Sequence, residues 1–217
     1  MAGHRNPGTI VSCGSDARPF CLIALSTGMR RGEIIGLMWE DIDFDAQKIH
    51  VRHNKSFLVN TDDAPVTEMP KTEAGRRTLP MSDQLTKHLL EVKAESTSDY
   101  VLCKRNGDSL SKTSFRALWG IVNARTAGKG HTKRALGESY GKIKVTLDFD
   151  SHPHQLRHTY ITQLFEAGLD VKQVQYLAGH ASPEMTLRVY THYRQKQRAE
   201  ETQEKVFRAL EYLSCVQ

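Results

Sequence analysis

Apolar positions follow two different periods along the chain, and the places where the period changes outline its organisation. Residues 20–26 form an apolar run that ends at Thr27-Gly28, the pattern of a helix stopped by glycine. A short second helix is predicted over residues 31–37. From Lys48 to His53 polarity alternates as it does in a strand. Residues 66–71 and 76–80 read as a hairpin turning at Thr72-Glu-Ala-Gly75. Ser82 caps a helix that turns Leu85, Leu89 and Val92 inward at i, i+4 and i+7. Asn106-Gly107 marks a turn. Ser111 or Thr113 opens a helix with Phe115, Leu118, Trp119 and Val122 inward. Residues 126–141 are rich in glycine and positive charge and read as a loop. Residues 142–149 alternate again, as a strand of a basic insertion.

The remainder is predicted to be helical. Residues 154–167 carry Leu156, Tyr160 and Leu164 on one face, and Gly168 ends the segment. Asp170 caps a short helix that exits at Gly179. Ser182-Pro183-Glu184 supplies an N-cap, a proline at the first helical position and an acid in the first turn, so another helix opens there. A last helix over residues 195–213 shows a narrow apolar stripe of Val206, Leu210 and Leu213. The expected fold is α+β: mostly helical, with a small antiparallel β-sheet near the N-terminal half and a basic β-containing insertion. Residues 1–16 lack periodicity and read as a leader, a linker or a cloning remnant. The domain proper occupies residues 17–217.

Composition narrows the function. The chain has 217 residues, 39% of them hydrophobic, and a formal net charge of +5. Charge is unevenly spread. From Lys104 to Lys144 there are ten basic residues and two acids, a local charge of +8, so the rest is slightly acidic. A solvated basic surface is the plain reading; a stripe facing a phosphate backbone is the sharper one. The four cysteines lack metal-ligand spacing and read as reduced thiols of an intracellular protein. No apolar run is long enough for a membrane span, and no signal peptide is visible, so a cytoplasmic location is expected.

Candidate chemistry concentrates near the C-terminus. His154-Gln-Leu-Arg157-His158, Leu177-Ala-Gly-His180 and Val189-Tyr190-Thr-His fall within forty residues. A permanently charged arginine beside titrating histidines suits a phosphate whose negative charge grows during reaction. A nearby tyrosine can attack it, given cations or a base to lower its proton affinity. His154 and His158, at i and i+4, have metal-ligand spacing, but Arg157 sets a fixed cation between them and no carboxylate accompanies them. No metal and no cofactor is expected. His180, just past a helix end, fits equally well as a partner of the last helical carbonyls. In the first half, Arg30 and Arg31 follow a helix-ending glycine, with Glu33 as an ion-pair partner. Lys71 sits at the hairpin mouth, an ordinary turn lysine or one placed to reach a departing oxygen.

Together these segments resemble the catalytic domain of tyrosine recombinases, the phage-type and transposon-type integrases. Thr27-Gly-Met-Arg30-Arg-Gly-Glu33-Ile looks like the family's first arginine box. Pro70-Lys71-Thr-Glu-Ala-Gly-Arg-Arg-Thr-Leu-Pro80 looks like its lysine hairpin. His154-Gln-Leu-Arg157-His158-Thr looks like its H-x-x-R box, and Leu177-Ala-Gly-His180 and Thr186-Leu-Arg-Val-Tyr190-Thr-His complete the set. Each box alone is weak; five in order are specific.

The resemblance implies a site-specific DNA recombinase that cleaves and rejoins strands through a 3′-phosphotyrosine, without metal or ATP. Arg30, Arg157 and His180 would hold the phosphate, Tyr190 would attack, His154 would act as base and Lys71 as acid. Glu33 would orient Arg30, and His158 would support. Arg31 competes with Arg30 and Tyr193 with Tyr190; the register of the boxes favours Arg30 and Tyr190. Implied partners are double-stranded DNA at recombination sites and, on DNA, three further copies in a homotetramer docked through the C-terminal segment, with a monomer or weak oligomer in its absence. Expected DNA contacts are Arg76, Lys112, Thr113, Ser114, Arg116, Lys142 and Lys144. The resemblance lacks the N-terminal core-binding domain and places the protein at the bacterial nucleoid. Alternative readings are a type IB topoisomerase-like relaxing enzyme and a catalytically silent DNA-binding module.

Overall fold

The computed structural model describes residues 16–56, 65–68, 76–127 and 151–214. Helix α1 (Arg18–Thr27) starts with proline in its first turn and ends at Gly28 in the left-handed conformation. Helix α2 (Arg31–Gly36) follows at once, and a 3-10 turn over Trp39–Asp41 leads to short strands β1 (Ile42–Asp43), β2 (Lys48–Val51) and β3 (His53–Lys55). Strands β4 (Val66–Glu68) and β5 (Arg77–Pro80) precede α3 (Asp83–Glu95) and α4 (Lys112–Ala127). Helices α5 (Pro153–Glu166), α6 (Val171–Ala178) and α7 (Pro183–Ser214) complete the described chain. The mostly helical α+β expectation holds.

Apolar burial builds two adjoining cores. The larger gathers Phe20, Ile23, Ile34, Ile35, Ile49, Leu79, Leu85, Leu89, Phe115 and Leu118, from α1, α2, the sheet, α3 and α4. The smaller gathers Tyr160, Ile161, Phe165, Val174 and Ala178, from α5 and α6. Helix α1 packs against α5 and joins the two. Capping follows the sequence signals: Ser82 Oγ accepts the Leu85 N–H, and Asp170 accepts the Lys172 and Gln173 N–H groups.

Sheet pairing corrects the expected hairpin. Among the described residues β4 pairs not with β5 but with β3, through Lys55↔Val66 and His53↔Glu68. Strand β5 pairs with β2, through Ile49↔Leu79 and Val51↔Arg77. One side of the ladder advances from Glu68 to Arg77 while the other advances only from His53 to Val51. Ile49 and Leu79 both belong to the main core, so burial sets this register, and the Thr72–Gly75 turn signal does not. Residues 69–75, Lys71 included, lie outside the described residues.

A further expectation changes. Residues 183–214 form one helix, not two, because no glycine or proline follows Pro183. On α5 Arg157 is buried, as is Tyr160 three residues on. The basic insertion, with Lys142 and Lys144, lies outside the described residues. Its flanks are tied together, since Trp119 Nε1 donates to Ser151 O at 2.8 Å and Ser151 Oγ donates to Asn123 Oδ1 at 2.7 Å. Cys21 is a free thiol. Among the described residues no helix is long and apolar enough to cross a membrane.

Candidate active site

The site is built around the end of α6. Its last carbonyls, with no helical partner of their own, are met by three arginines. Arg77 Nε donates to Leu177 O at 3.0 Å, Arg157 donates to Ala178 O, and Arg30 donates to Gly179 O. Arg157 also donates to Gly28 O, the carbonyl that closes α1. Cations are favoured at a helix C-terminus, so these carbonyls offset part of the repulsion among three guanidinium groups. Two left-handed glycines make the approach possible. A Cβ on Gly28 would stand 2.2 Å from the Tyr160 ring, and one on Gly179 would stand 2.6 Å from the Arg77 guanidinium.

Glu33 supplies the counter-charge. It accepts the Arg30 N–H at 2.8 Å and Arg30 NH1 at 2.9 Å. It also accepts Arg77 NH1 at 3.1 Å and NH2 at 2.8 Å. Its side chain is fully buried, as is that of Arg77, whereas Arg30 is 37% exposed. Burial alone would raise the Glu33 pKa; Arg77 and then Arg30 outweigh it and hold the carboxyl below its usual value. Glu33 therefore stays ionised and leaves Arg30 facing outward.

Arg30, Arg31, Asn54, Lys55, His154 and Arg157 line one cavity of about 490 Å³. Burial, then Arg30, push the Arg157 pKa down to about 9, which keeps it charged at neutral pH. Burial, then His158, Arg157 and Arg30, lower that of His154. A neutral His154 imidazole can take up a proton. His158 lies against it, with ring centroids 4.5 Å apart and nearly perpendicular. His180 is buried one residue past the arginine-bound carbonyls, with Nδ1 2.8 Å from Thr186 Oγ1. Burial, then Arg157, Arg30, Arg77 and His154, push its pKa down to about 4. It is a neutral donor or acceptor at pH 7.

Arg30, His154, Arg157 and His180 thus come together, with Glu33 behind them. Tyr190 occupies the same face of α7 as Thr186, one turn on, and its ring leans on Phe165 with centroids 5.1 Å apart. Phe165 is eight residues along α5 from Arg157, about 12 Å. Tyr193 stacks on the same Phe165, takes a hydrogen bond from Gln197 Nε2, and lines a separate cavity with His158 and His192.

Among the expected DNA contacts, Arg76 pairs with Glu68 at 2.6 Å. Ser114 bonds back to Ser111, closing the first turn of α4, while Thr113 and Arg116 are exposed and Lys112 is half-buried. Arg116 is close enough to Arg31 to lower its pKa, after burial, so the cavity rim and α4 share one positive surface. Glu40, Asp41 and His53 bring possible ligand atoms within 4.8 Å of one another. His53 Nδ1 is committed to Asp41 Oδ2 at 2.8 Å and Arg52 faces Asp41 Oδ1 at 3.8 Å, an arrangement that suits an ion-paired corner better than a cation.

Arg77 is the residue that the sequence reading passed over in favour of Arg76. Its signal was its phase: it shares a strand face with Leu79, which points into the core.

Fold and cavity together define a mostly helical domain with an arginine- and histidine-lined recess at a helix end. Residues 12–197 match the phage integrase family, and the chain belongs to that family. It is 29% identical over 204 residues to a "Tyrosine recombinase XerC-like" protein of Caldanaerobacter subterraneus, covering 89% of this chain and 50% of that one. It is 30% identical over 176 residues to the transposase of transposon Tn916 from Enterococcus faecalis, covering 79% and 41%. Among solved structures it resembles the Tn1549 transposon integrase in complex with transposon right end DNA. That match has a TM-score of 0.61 and 27% identity, over 86% of this chain and 58% of that one. A XerA recombinase, at 18% identity and TM-score 0.55, shares the fold. The chain spans about half the length of the relatives it matches.

Proposed function

We propose that residues 17–217 form the catalytic unit of a site-specific DNA recombinase, an integrase of a mobile element. The observation that carries this reading is the joining of Arg30 and Arg157, with His154, on one cavity, beside a neutral His180. Guanidinium groups match phosphate oxygens, and removing one such donor costs about 10²–10³ in rate. Tyr190 attacks the scissile phosphorus. The P–O5′ bond breaks and a 3′-phosphotyrosine forms. His154 takes the phenol proton, and Lys71 gives a proton to the departing 5′ oxygen. A 5′-hydroxyl from another strand reverses the step. The phosphodiester bond energy is kept in the phosphotyrosine, so ATP is not needed, and the arginines provide the charge that a metal would otherwise supply. Helical side chains lean toward their N-terminus, which favours an approach of Tyr190 to the Thr186 end of α7, where His180 bonds Thr186.

Double-stranded DNA is the substrate, held by a positive surface that includes Arg31, Lys112 and Arg116, with Thr113 as a polar contact beside them, and, outside the described residues, Lys142 and Lys144. The protein acts in the cytoplasm on nucleoid DNA. It assembles as a tetramer there through α7 and is a monomer or weak oligomer when free. The test is a nicked suicide duplex carrying the parent element's end. The wild-type chain forms a covalent adduct and Tyr190→Phe forms none. An equal adduct with Tyr190→Phe refutes the role of Tyr190. Sequence-independent relaxation of supercoils favours a topoisomerase, and DNA binding without an adduct favours a silent module.

A further inference from the structure

The segments that carry Arg30 and His180 are far apart in the chain, and one buried side chain touches the supports of both. Arg77 opens strand β5 and pairs with Val51 of β2. Its two terminal nitrogens bond both Glu33 oxygens, the same oxygens that hold the Arg30 backbone and guanidinium. Its third nitrogen, Nε, donates to Leu177 O, three residues before His180. Gly179 carries no side chain where a Cβ would meet this guanidinium. A fully buried ion pair is a costly element, and apolar side chains of similar size serve a core as well or better. Its directional reach is what an apolar replacement lacks.

We propose that Arg77 is a positioning residue: it locks strand β5, the Glu33–Arg30 unit and the carbonyl end of α6 into one arrangement, and so sets where Arg30 and His180 meet the phosphate. The proposal rests on the recombinase reading for its consequence in catalysis, but its geometric content stands alone. Lysine keeps the charge at this position and offers no planar fork, so it cannot serve both Glu33 oxygens and Leu177 O together. Misplacement of a catalytic group by about 1 Å costs on the order of 10²-fold in rate.

The experiment compares the wild-type chain with Arg77→Lys and Arg77→Met in two measurements. Backbone hydrogen exchange needs no activity. In Arg77→Lys, exchange at the Ile34, Gly179 and His180 amides quickens, while Leu85 to Leu89 in α3 keep wild-type protection. Unchanged exchange at the first three, or an equal rise in α3, overturns the proposal, as does melting of both variants at room temperature, which would make Arg77 a general stability residue. The second measurement is single-turnover cleavage of the nicked duplex. Arg77→Lys cleaves on the order of 10²-fold more slowly at saturating DNA with affinity within about threefold of wild type. Wild-type cleavage by Arg77→Lys, or a loss of affinity as large as the loss of rate, overturns it. A wild-type chain that binds DNA and forms no adduct defeats the recombinase reading, and the exchange data still decide whether Arg77 holds the end of α6.

Discussion

Thr186 Oγ1 lies 2.8 Å from Nδ1 of His180, and both residues are buried. The contact crosses from the end of α6 to the first turns of α7 and fixes one nitrogen of a ring that burial keeps neutral. A partner on one nitrogen selects the tautomer and so decides what the other can offer a phosphate. Thr186→Val keeps the shape and removes the hydroxyl. Cleavage should slow by about 10–100-fold, the usual cost of losing an orienting partner. Stability should fall by about 1–3 kcal/mol, from leaving a buried ring nitrogen unbonded. Single-turnover kinetics and urea melts measure both, and a Thr186→Val enzyme with wild-type kinetics would remove this orienting role.

His180 also gives the protein a pH signature. Its folded pKa, about 4, lies below the unfolded value of 6.5. Between these values the unfolded chain binds the proton and the folded chain does not, so stability rises with pH across that window. The stabilisation is present above pH 6.5 and is lost as pH falls toward 4. His154 and His158 are shifted in the same direction, and their contributions have the same sign. Urea midpoints should drop from pH 7 to pH 5, and His180→Asn should flatten part of that slope. An unchanged slope in His180→Asn would place the titration elsewhere.

Gly28 and Gly179 permit the arginine-bound helix ends. Each adopts positive φ, +61° and +63°, and each has a buried side chain, Tyr160 or Arg77, where a Cβ would be. Gly28→Ala combines backbone strain with overpacking against Tyr160 and should cost about 2–4 kcal/mol. Gly179→Ala meets the tip of Arg77, a longer side chain that is itself tied to Glu33. It should lower DNA cleavage more than it lowers the thermal midpoint. If Gly179→Ala instead melts far below wild type and cleaves normally once folded, the guanidinium has moved aside without consequence.

Much of this site was legible because its residues sit at helix boundaries that short signals mark. Gly28, Asp170, Gly179 and Pro183 punctuate the chain and so place Arg30, His180 and the start of α7. Pairing in the sheet was not legible. Residues 66–68 and 76–80 are adjacent in sequence with a good turn between them, and only the shared burial of Ile49 and Leu79 shows that β5 belongs to β2. The burial of Arg157 and Arg77 escaped for a related reason. A charged side chain reads as surface until its partners are known, and apart from Glu33 those partners are carbonyls of Gly28, Leu177 and Ala178, which carry no mark in the sequence.

The two tyrosines on Phe165 should behave differently. Tyr190 lies on the Thr186 face of α7, while the Tyr193 hydroxyl accepts a hydrogen bond from Gln197 and lines the cavity with His192. Tyr193→Phe should form adduct within about twofold of the wild-type rate, as expected for loss of a hydroxyl outside the reacting group. Tyr190→Phe should form none, and peptide mapping of the wild-type adduct should locate the nucleotide on Tyr190. Mapping to Tyr193 would shift the register of the last box by three residues.

Among the described residues, the far half of α7 carries the most exposed apolar side chains. Val206, Phe207 and Leu210 are 52%, 61% and 59% exposed, on a helix supported locally by an Arg208–Glu204 pair at 2.6 Å. Leaving Phe207 and Leu210 in water forgoes about 1.5–3 kcal/mol each relative to burial, a strong incentive for a partner surface to cover them. In the proposed tetramer that surface belongs to a neighbouring copy. Phe207→Asp combined with Leu210→Asp should therefore leave adduct formation on a single nicked duplex intact and abolish the higher-order complexes seen on native gels with paired sites. The residues lie more than four turns beyond Tyr190, so a direct effect on the chemistry is not expected. Normal synapsis by the double variant would show that assembly uses another face. Loss of the adduct along with synapsis would show that this part of α7 is needed to bring Tyr190 to the phosphate.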